Sequence, residues 1–245
     1  MALIEEFERT GNWLFKRRGY LPVFLLLAGF IVLGFKDYSS YNVFPIKDLF
    51  YLAVSFTGLG IRIYTIGHTP KHTSGRNISR QRANVLNTTG IYSVIRHPLY
   101  MGNFIIWLGL ALFLEYFIWL IVFFVLVFWI YYERIMFAEE MFLRDKFGKE
   151  YLKWAEETPA FIPNFKKWIP GELLFSWKNV FKREYNGFGN ILAGFTLFDL
   201  ARNYFSQGKP YPTLMWIIIF AFGFVSWIII RTLEKKTKLF HLDDR

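Results

Sequence analysis

The sequence predicts an all-α, polytopic membrane protein with about six transmembrane helices. Of its 245 residues, 54% are hydrophobic and 21% are aromatic, which is more apolar bulk than one soluble core of this size buries. The same composition excludes a disordered chain, and the absence of cysteine excludes disulfide scaffolds and cysteine nucleophiles. Six apolar stretches and a one-sided distribution of Lys and Arg complete the prediction.

The six apolar stretches are the predicted membrane spans in chain order. A helix crosses a bilayer with about 20 residues. The stretches cover residues 20–35, 48–66, 103–114, 117–132, 188–205 and 213–232. The third stretch is short, so with the fourth it predicts a tight helical hairpin that turns near Glu115. A cleavable signal peptide is not expected, because residues 1–10 carry three Glu and lack an apolar core.

The positions of Lys and Arg predict which side of the membrane each connection occupies. Alternate connections hold 24 of the 29 positive side chains, the others hold 4, and Arg62 lies inside the second span. Both termini are therefore expected in the cytoplasm, with the protein in the inner (plasma) membrane of a prokaryote. Because this topology accounts for the net charge of +10, a nucleic-acid partner is not expected.

Two predicted cytoplasmic connections, residues 67–102 and 133–187, are long enough to hold chemistry. The helix that leaves the fourth span is expected to break at Gly148 and again at the prolines that follow. The chain then divides into three parts. These are an N-terminal region with two spans (1–66), a core with the first connection, the hairpin and a helix carrying a Glu pair (67–165), and an interfacial segment with two further spans (166–245).

The connection before the third span reads Gly-Ile-Tyr-Ser-Val-Ile-Arg-His-Pro-Leu-Tyr-Met-Gly from Gly90 to Gly102. Gly90 permits a turn, and Pro98 suits the first turn of a helix, where a missing N–H group costs least. Arg96 and His97 then stand at a helix N-terminus, whose N–H groups favour an anion such as a carboxylate or phosphate. The alternative is that both side chains are anchors that reach the membrane surface.

Glu139 and Glu140 follow the fourth span on a helix with apolar neighbours. Helical spacing places Glu140 on the same stripe as Met136 and Leu143. A partly desolvated carboxylate needs a cation or hydrogen-bond donors, and a charge near membrane depth is a functional candidate. The alternative is a Glu pair that reaches water beside the headgroups, with Arg144 as an ion-pair partner.

The order of these features resembles the isoprenylcysteine carboxyl methyltransferase family, whose superfamily includes membrane phospholipid methyltransferases. The resemblance runs from Arg62 to Pro163. It consists of the 90–102 segment, the hairpin, the Glu pair and a Phe-Gly-Lys-Glu-Tyr run that ends at Tyr151. It implies an integral membrane methyltransferase that uses S-adenosylmethionine at the cytoplasmic face, with a membrane lipid or a lipidated molecule as acceptor.

The resemblance also implies roles for individual residues. The implied cofactor-binding residues are Tyr92, His97, Pro98, Tyr100, Gly102, Glu139 and Glu140. One Glu of the pair would bind the ribose hydroxyls or the methionine ammonium, and the choice between the two stays open. Arg96 would offer a cation to an anionic group, and it is expected to be catalytic together with Glu140 and Arg62.

Arg62 and a cationic insert bear on the acceptor. As a charge inside the second span, Arg62 needs an anionic partner, which the sequence leaves as a Glu of the pair or the substrate. Lys71 and Arg76 belong to an insert that departs from the family pattern, as do residues 168–245. These three cations are the expected substrate-binding residues, because guanidinium groups bind phosphate or carboxylate bidentately.

The acceptor atom and the function class stay open at this level. An acceptor carboxylate or phosphate needs no general base, whereas an amine would need Glu139, Glu140 or His97. A membrane NAD(P)H-dependent reductase of related fold and a non-enzymatic transporter or scaffold are the alternatives. No metal site is expected, because His68 and His72 have a proline between them and no further ligand nearby.

Overall fold

The computed structural model describes residues 2–38, 45–70, 81–115, 118–237 and 239–240, and within them the chain is helical. Its helices are α1 (Leu3–Arg17), α2 (Leu21–Gly34), α3 (Pro45–Gly67), α4 (Pro98–Phe113), α5 (Ile118–Phe147), α6 (Lys149–Glu157), α7 (Trp177–Gln207) and α8 (Leu214–Lys236). These ranges hold no β-strand, only an isolated bridge between Gly90 and Ile169. The all-α class is confirmed. Lys71, His72 and Arg76 lie outside the described residues.

Three of these helices, α3, α5 and α8, are long and apolar enough to cross a membrane. Helices α2 and α4 are apolar but shorter, and α7 has 31 residues with several buried polar side chains along its length. The structure thus supports membrane-spanning helices, while the count of six spans and their orientation stay predictions.

Two predicted helix boundaries, at Pro98 and Gly148, are confirmed. Helix α4 begins at Pro98, where the missing N–H group costs least. Helix α5 continues without a break to Phe147, so the apolar stretch and the Glu pair share one rigid element. Gly148, with φ 55°, then separates α5 from α6, because the left-handed conformation is accessible to glycine at little cost.

Helix α1 lies along α5 and was not predicted from the sequence. Gly11 faces α5 so closely that a side chain there would collide with the Arg134 carbonyl oxygen. On the same face, the Phe7 ring lies 5.6 Å from the Phe137 ring, and Phe15 is buried. Phe7, Gly11 and Phe15 therefore form one contact face at a spacing of four residues.

Small residues bring α3 and α4 into close contact. A side chain on Gly58 would lie 2.5 Å from the Gly102 carbonyl oxygen, and one on Gly109 would collide with Ser55. The Ser55 hydroxyl donates a 2.7 Å hydrogen bond to the Ile106 carbonyl across this contact. The two backbones therefore approach as closely as glycine permits, a packing mode common between helices in lipid.

Helices α4 and α5 pair in opposite directions. Tyr100, near the start of α4, contacts Tyr132 with ring centroids 4.9 Å apart. Phe104, one turn further along α4, contacts Phe128 at 5.1 Å and Phe124 at 6.1 Å, which lie earlier in α5. Glu115, with φ 45°, is the last described residue before α5 begins at Ile118. A membrane hairpin made of these two helices stays part of the proposal below.

Buried charges join α7 to α3 and α8. Arg202 donates to both carboxylate oxygens of Asp48, at 3.0 and 2.7 Å, and also pairs with Asp199 one turn before it. The Trp216 indole N–H of α8 donates to Asp48 at 3.3 Å. The Asp199–Arg202 pair joins two residues of α7 that lie one helical turn apart. It belongs to a network that holds three helices together, since such buried charges need partners.

Substitution of Gly58 tests the α3–α4 contact. Gly58→Ala should lower the free energy of unfolding by about 1–3 kcal/mol, because the added methyl group overpacks against the α4 backbone. Gly60→Ala is the matched control in the same helix, since a side chain there would meet nothing within 4 Å. Thermal melting in detergent measures both variants. Equal melting temperatures would contradict the close contact.

Candidate active site

The loop before α4 is held by the chain segment that follows α6. After Gly90, with φ 61°, a single 3₁₀ turn (Ile91–Ser93) leads towards α4. Three backbone N–H groups of the loop donate to carbonyl oxygens of the later segment. They are Gly90 to Ile169 at 2.9 Å, Arg96 to Pro159 at 2.9 Å and His97 to Ala160 at 3.2 Å. The prolines after α6 thus lie in a segment that fixes the loop.

These bonds correct one expectation about the start of α4. The sequence led us to expect N–H groups open to an anionic ligand at Arg96 and His97, but both N–H groups are bonded to protein carbonyls. Pro98 has no N–H group to offer. The side chains of Arg96 and His97 instead meet a protein carboxylate, Glu140.

Glu140 meets both charged side chains of the loop. The Arg96 guanidinium donates to one carboxylate oxygen at 3.1 Å, and His97 Nε2 lies 2.9 Å from the other. The side chains of Arg96 and His97 are only 18% and 6% exposed, so they turn inwards and are not surface anchors. One carboxylate on α5 therefore fixes two side chains at the start of α4 through charge-assisted hydrogen bonds.

Glu139 has a different set of partners. The Tyr100 hydroxyl donates to Glu139 at 2.8 Å, and the Tyr100 ring stacks on the His97 ring at 5.8 Å. Arg18, just after α1, lies 3.9 Å from the same carboxylate. The sequence gave no indication of Arg18 as a site residue. His97 Nδ1 also lies 3.8 Å from Glu139, so this carboxylate has one basic neighbour in the loop before α4 and one after the N-terminal helix.

Two buried donors lie beside Glu140. Arg96 Nε forms no hydrogen bond within the part of the chain that the structure describes, and the Tyr151 hydroxyl lies within reach of both Glu140 and Arg96. Burial, followed by the negative charge on Glu140, raises the pKa of Tyr151, so its hydroxyl keeps its proton at neutral pH. A guanidinium N–H and a neutral phenol both donate, which fits a bound carboxylate or hydroxyl group.

Tyr92 and Trp154 join the loop to α6. The Trp154 indole N–H donates to the Tyr92 carbonyl at 3.0 Å. Burial raises the pKa of the Tyr92 phenol, and the charge on Glu139 raises it further, which keeps this side chain neutral. Tyr92 is thus close enough to Glu139 to be influenced by its charge, and its backbone is held by α6.

Gly102 and Arg62 lie on the α3 side of α4. A side chain on Gly102 would meet the Arg62 side chain at 2.6 Å and the Gly58 carbonyl oxygen at 2.8 Å. Gly102 therefore permits the close approach of α3 to α4, and its role in cofactor binding stays a prediction. Arg62 pairs with Glu184 of α7, whose oxygens lie 2.9 and 2.6 Å from its nitrogens. The protein partner of Arg62 is therefore Glu184 and not a Glu of the pair, while the substrate as a further partner stays a prediction.

The comparisons with known proteins concern the same part of the chain. Residues 52–150 match the family model described as phospholipid methyltransferase. This match confirms the resemblance to the isoprenylcysteine carboxyl methyltransferase and phospholipid methyltransferase superfamily. The matched residues include α4, the Glu pair and the loop between α3 and α4. No solved structure matches the chain.

Curated relatives agree with this assignment. Protein-S-isoprenylcysteine O-methyltransferase B of Arabidopsis thaliana is 37% identical over 98 residues, which are 37% of this chain and 49% of the relative. The Schizosaccharomyces pombe protein-S-isoprenylcysteine O-methyltransferase is 36% identical over 84 residues, 34% of this chain and 35% of its own.

A third relative is named for metal resistance and not for methyl transfer. The cobalt-zinc-cadmium resistance protein CzcN of Cupriavidus metallidurans is 35% identical over 105 residues, 43% of this chain and 46% of its own. The chain thus spans half or less of the length of each of these three relatives. With three apolar helices, the matches identify an integral membrane protein.

Removal of the Ser93 hydroxyl tests how the loop is held. Ser93 Oγ donates to the Gly90 carbonyl at 2.7 Å and accepts from the Ile169 N–H at 2.9 Å. Ser93→Ala leaves that N–H without its partner, at a cost of about 1–3 kcal/mol. Faster hydrogen–deuterium exchange in residues 90–97 and 159–169 is expected.

Thr57→Ala is the control for this experiment, because the Thr57 hydroxyl is exposed and bonds only one turn back in its own helix. Its exchange in both segments should equal that of the wild type. Unchanged exchange in Ser93→Ala as well would show that this hydroxyl does not hold the loop.

Proposed function

We propose that the protein is an S-adenosylmethionine-dependent methyltransferase that methylates a lipid or a lipid-tailed acceptor at the cytoplasmic face of the membrane. One observation supports this most directly. Within the segment that matches the phospholipid methyltransferase family, Arg96 and His97 meet Glu140, while Arg96 Nε remains as a buried donor for a ligand. A polar cluster of this kind, beside helices that suit a membrane, fits a soluble cofactor with a membrane-bound acceptor.

The residues around Glu140 fit the cofactor. Arg96 and Tyr151 would donate to its carboxylate, and the carboxyl oxygens of Glu139 or Glu140 would accept from its ammonium group or ribose hydroxyls. The stacked rings of His97 and Tyr100 offer an aromatic surface beside these groups. When bound, S-adenosylmethionine supplies a methyl group on a sulfonium that is already a good leaving group. The protein therefore has to align the acceptor and exclude water.

The acceptor is proposed to carry an anionic oxygen on a lipid tail. Such an oxygen needs no general base, and the relatives named isoprenylcysteine O-methyltransferases act on oxygen. Arg62 is proposed to orient this acceptor, with Lys71 and Arg76 as further cations. An amine headgroup is the competing acceptor, and Glu139, Glu140 or His97 would then have to accept a proton.

The proposed topology places this site at the cytoplasmic ends of the helices. Six spans with both termini in the cytoplasm, in the inner (plasma) membrane of a prokaryote, agree with the 24 positive side chains on one side. In this arrangement α4 and α5 form the membrane hairpin of the core at 67–165. The regions 1–66 and 166–245 supply two spans each. A lipid tail then reaches the site laterally between helices, while the cofactor enters from water.

Isothermal titration calorimetry with S-adenosylmethionine tests the proposal. Glu140→Gln removes the charge that holds Arg96 and His97, at about 1.5–3 kcal/mol for a hydrogen bond to a charged group. We therefore expect the Kd to rise about 10- to 100-fold. Glu156→Gln on the exposed side of α6 should bind like the wild type. Wild-type protein that does not bind the cofactor would contradict the proposed function.

Transfer of a radiolabelled methyl group then identifies the acceptor. Purified protein is mixed with a bacterial lipid extract and a prenylated cysteine, and the products are extracted. Label that alkali releases as methanol indicates a carboxyl methyl ester, whereas alkali-stable label in a headgroup indicates an amine or a phosphate, which mass spectrometry of the lipid distinguishes. Oxidation of a reduced nicotinamide in place of methyl transfer would favour the reductase alternative.

A further inference from the structure

Helix α7 contributes a carboxylate to the core although it lies outside the segment that matches the methyltransferase family. Glu184 receives hydrogen bonds from Arg62 Nε at 2.9 Å and from Arg62 Nη2 at 2.6 Å. The Glu184 side chain is only 5% exposed and that of Arg62 is 21% exposed. The family match ends at residue 150, so it accounts for Arg62 and not for its partner.

The geometry of this pair fixes the direction of the guanidinium group. Both oxygens of Glu184 engage one edge of Arg62, and Asn103 accepts from Nη1 at 2.7 Å. A bidentate pair with a third bond leaves the planar group one orientation. Five N–H groups are present on an Arg side chain, so two of them, on Nη1 and Nη2, lie beyond these three bonds.

A continuous set of contacts connects this pair to the proposed cofactor site. Asn103 donates from Nδ2 to the Tyr132 hydroxyl at 3.2 Å. The Tyr132 ring lies 4.9 Å from the Tyr100 ring, and the Tyr100 hydroxyl donates to Glu139 at 2.8 Å. Arg62 therefore stands beside the cofactor-binding residues and on the far side of Tyr100 from Glu139.

We propose that Glu184 is a positioning residue that orients Arg62 towards the anionic group of the acceptor. This inference rests on the proposed methyl transfer. Glu184 balances the charge of Arg62 and occupies one guanidinium edge, so the remaining N–H groups meet the acceptor oxygen from one direction. Helix α7 is then part of the acceptor side of the site, while the cofactor side is built by α4 and α5.

Another side chain of α7, Asn186, makes a contact between helices that does not involve Arg62. Asn186 accepts a 2.9 Å hydrogen bond from the Trp227 indole N–H of α8, and this contact is exposed. Asn186 lies two residues from Glu184, so it points to another side of the helix. Asn186→Ala therefore removes a contact between helices without reaching Arg62, which makes it the matched control.

The experiment compares Glu184→Gln, Glu184→Asp and Asn186→Ala with the wild type. Methyl transfer is measured over a range of concentrations of N-acetyl-S-farnesylcysteine added to a bacterial lipid extract, and S-adenosylmethionine binding is measured by calorimetry. For Glu184→Gln we expect the apparent acceptor KM to rise, or kcat to fall, by about 10-fold or more. The reason is that a misdirected Arg62 guanidinium no longer aligns the acceptor. Its Kd for the cofactor should stay at the wild-type value.

The other variants separate positioning from packing. Glu184→Asp keeps the carboxylate on a shorter side chain, so it should restore part of the lost transfer and should fold if Glu184→Gln does not. Asn186→Ala should lower the melting temperature without changing the acceptor KM. Normal acceptor kinetics in a destabilised Glu184→Gln, or an equal loss of cofactor binding, would overturn the inference. A wild-type protein without cofactor binding would instead overturn the proposed function itself.

Discussion

The arrangement of the site depends on one carboxylate in a partly desolvated position. Glu140 can stay ionised on α5 only if donors replace the water it loses, and Arg96 and His97 provide them at 3.1 and 2.9 Å. Those two side chains stand where the loop turns into α4, so the ion pair also sets the position of the loop. Their backbone N–H groups are bonded to the segment after α6, which leaves the side chains to do the binding.

The helices supply the rigidity that this arrangement requires. Glycines at the α3–α4 contact let the two backbones approach, which places Arg62 against Gly102. Because α5 runs unbroken past the apolar stretch, its two Glu side chains are held in register with α4. The parts outside the family match reach the same place, since Arg18 contacts Glu139 and Glu184 contacts Arg62. The segments outside the family match therefore bring charged side chains into contact with those of the matched segment.

Local patterns in the sequence predicted much of this arrangement. Contacts between residues far apart in the chain did not follow from those patterns. Pro98 and Gly148 mark helix boundaries through their own backbone preferences, so both were predicted correctly. Helix α1 was not predicted because it is not an apolar stretch, although Phe7, Gly11 and Phe15 are spaced as one face of a helix. The partner of Arg62 could not be found, because Glu184 lies 122 positions away in a helix that the motifs do not reach.

The most direct test of the central claim is a structure determined with S-adenosylhomocysteine, the demethylated form of the cofactor. The account predicts the ligand between the start of α4 and the Glu pair, with its carboxylate within hydrogen-bond distance of Arg96 Nε or the Tyr151 hydroxyl. It also predicts the Arg62–Glu184 pair intact on the opposite side of Tyr100. A ligand bound elsewhere on the protein, with Glu140, Arg96 and Tyr151 untouched, would contradict it.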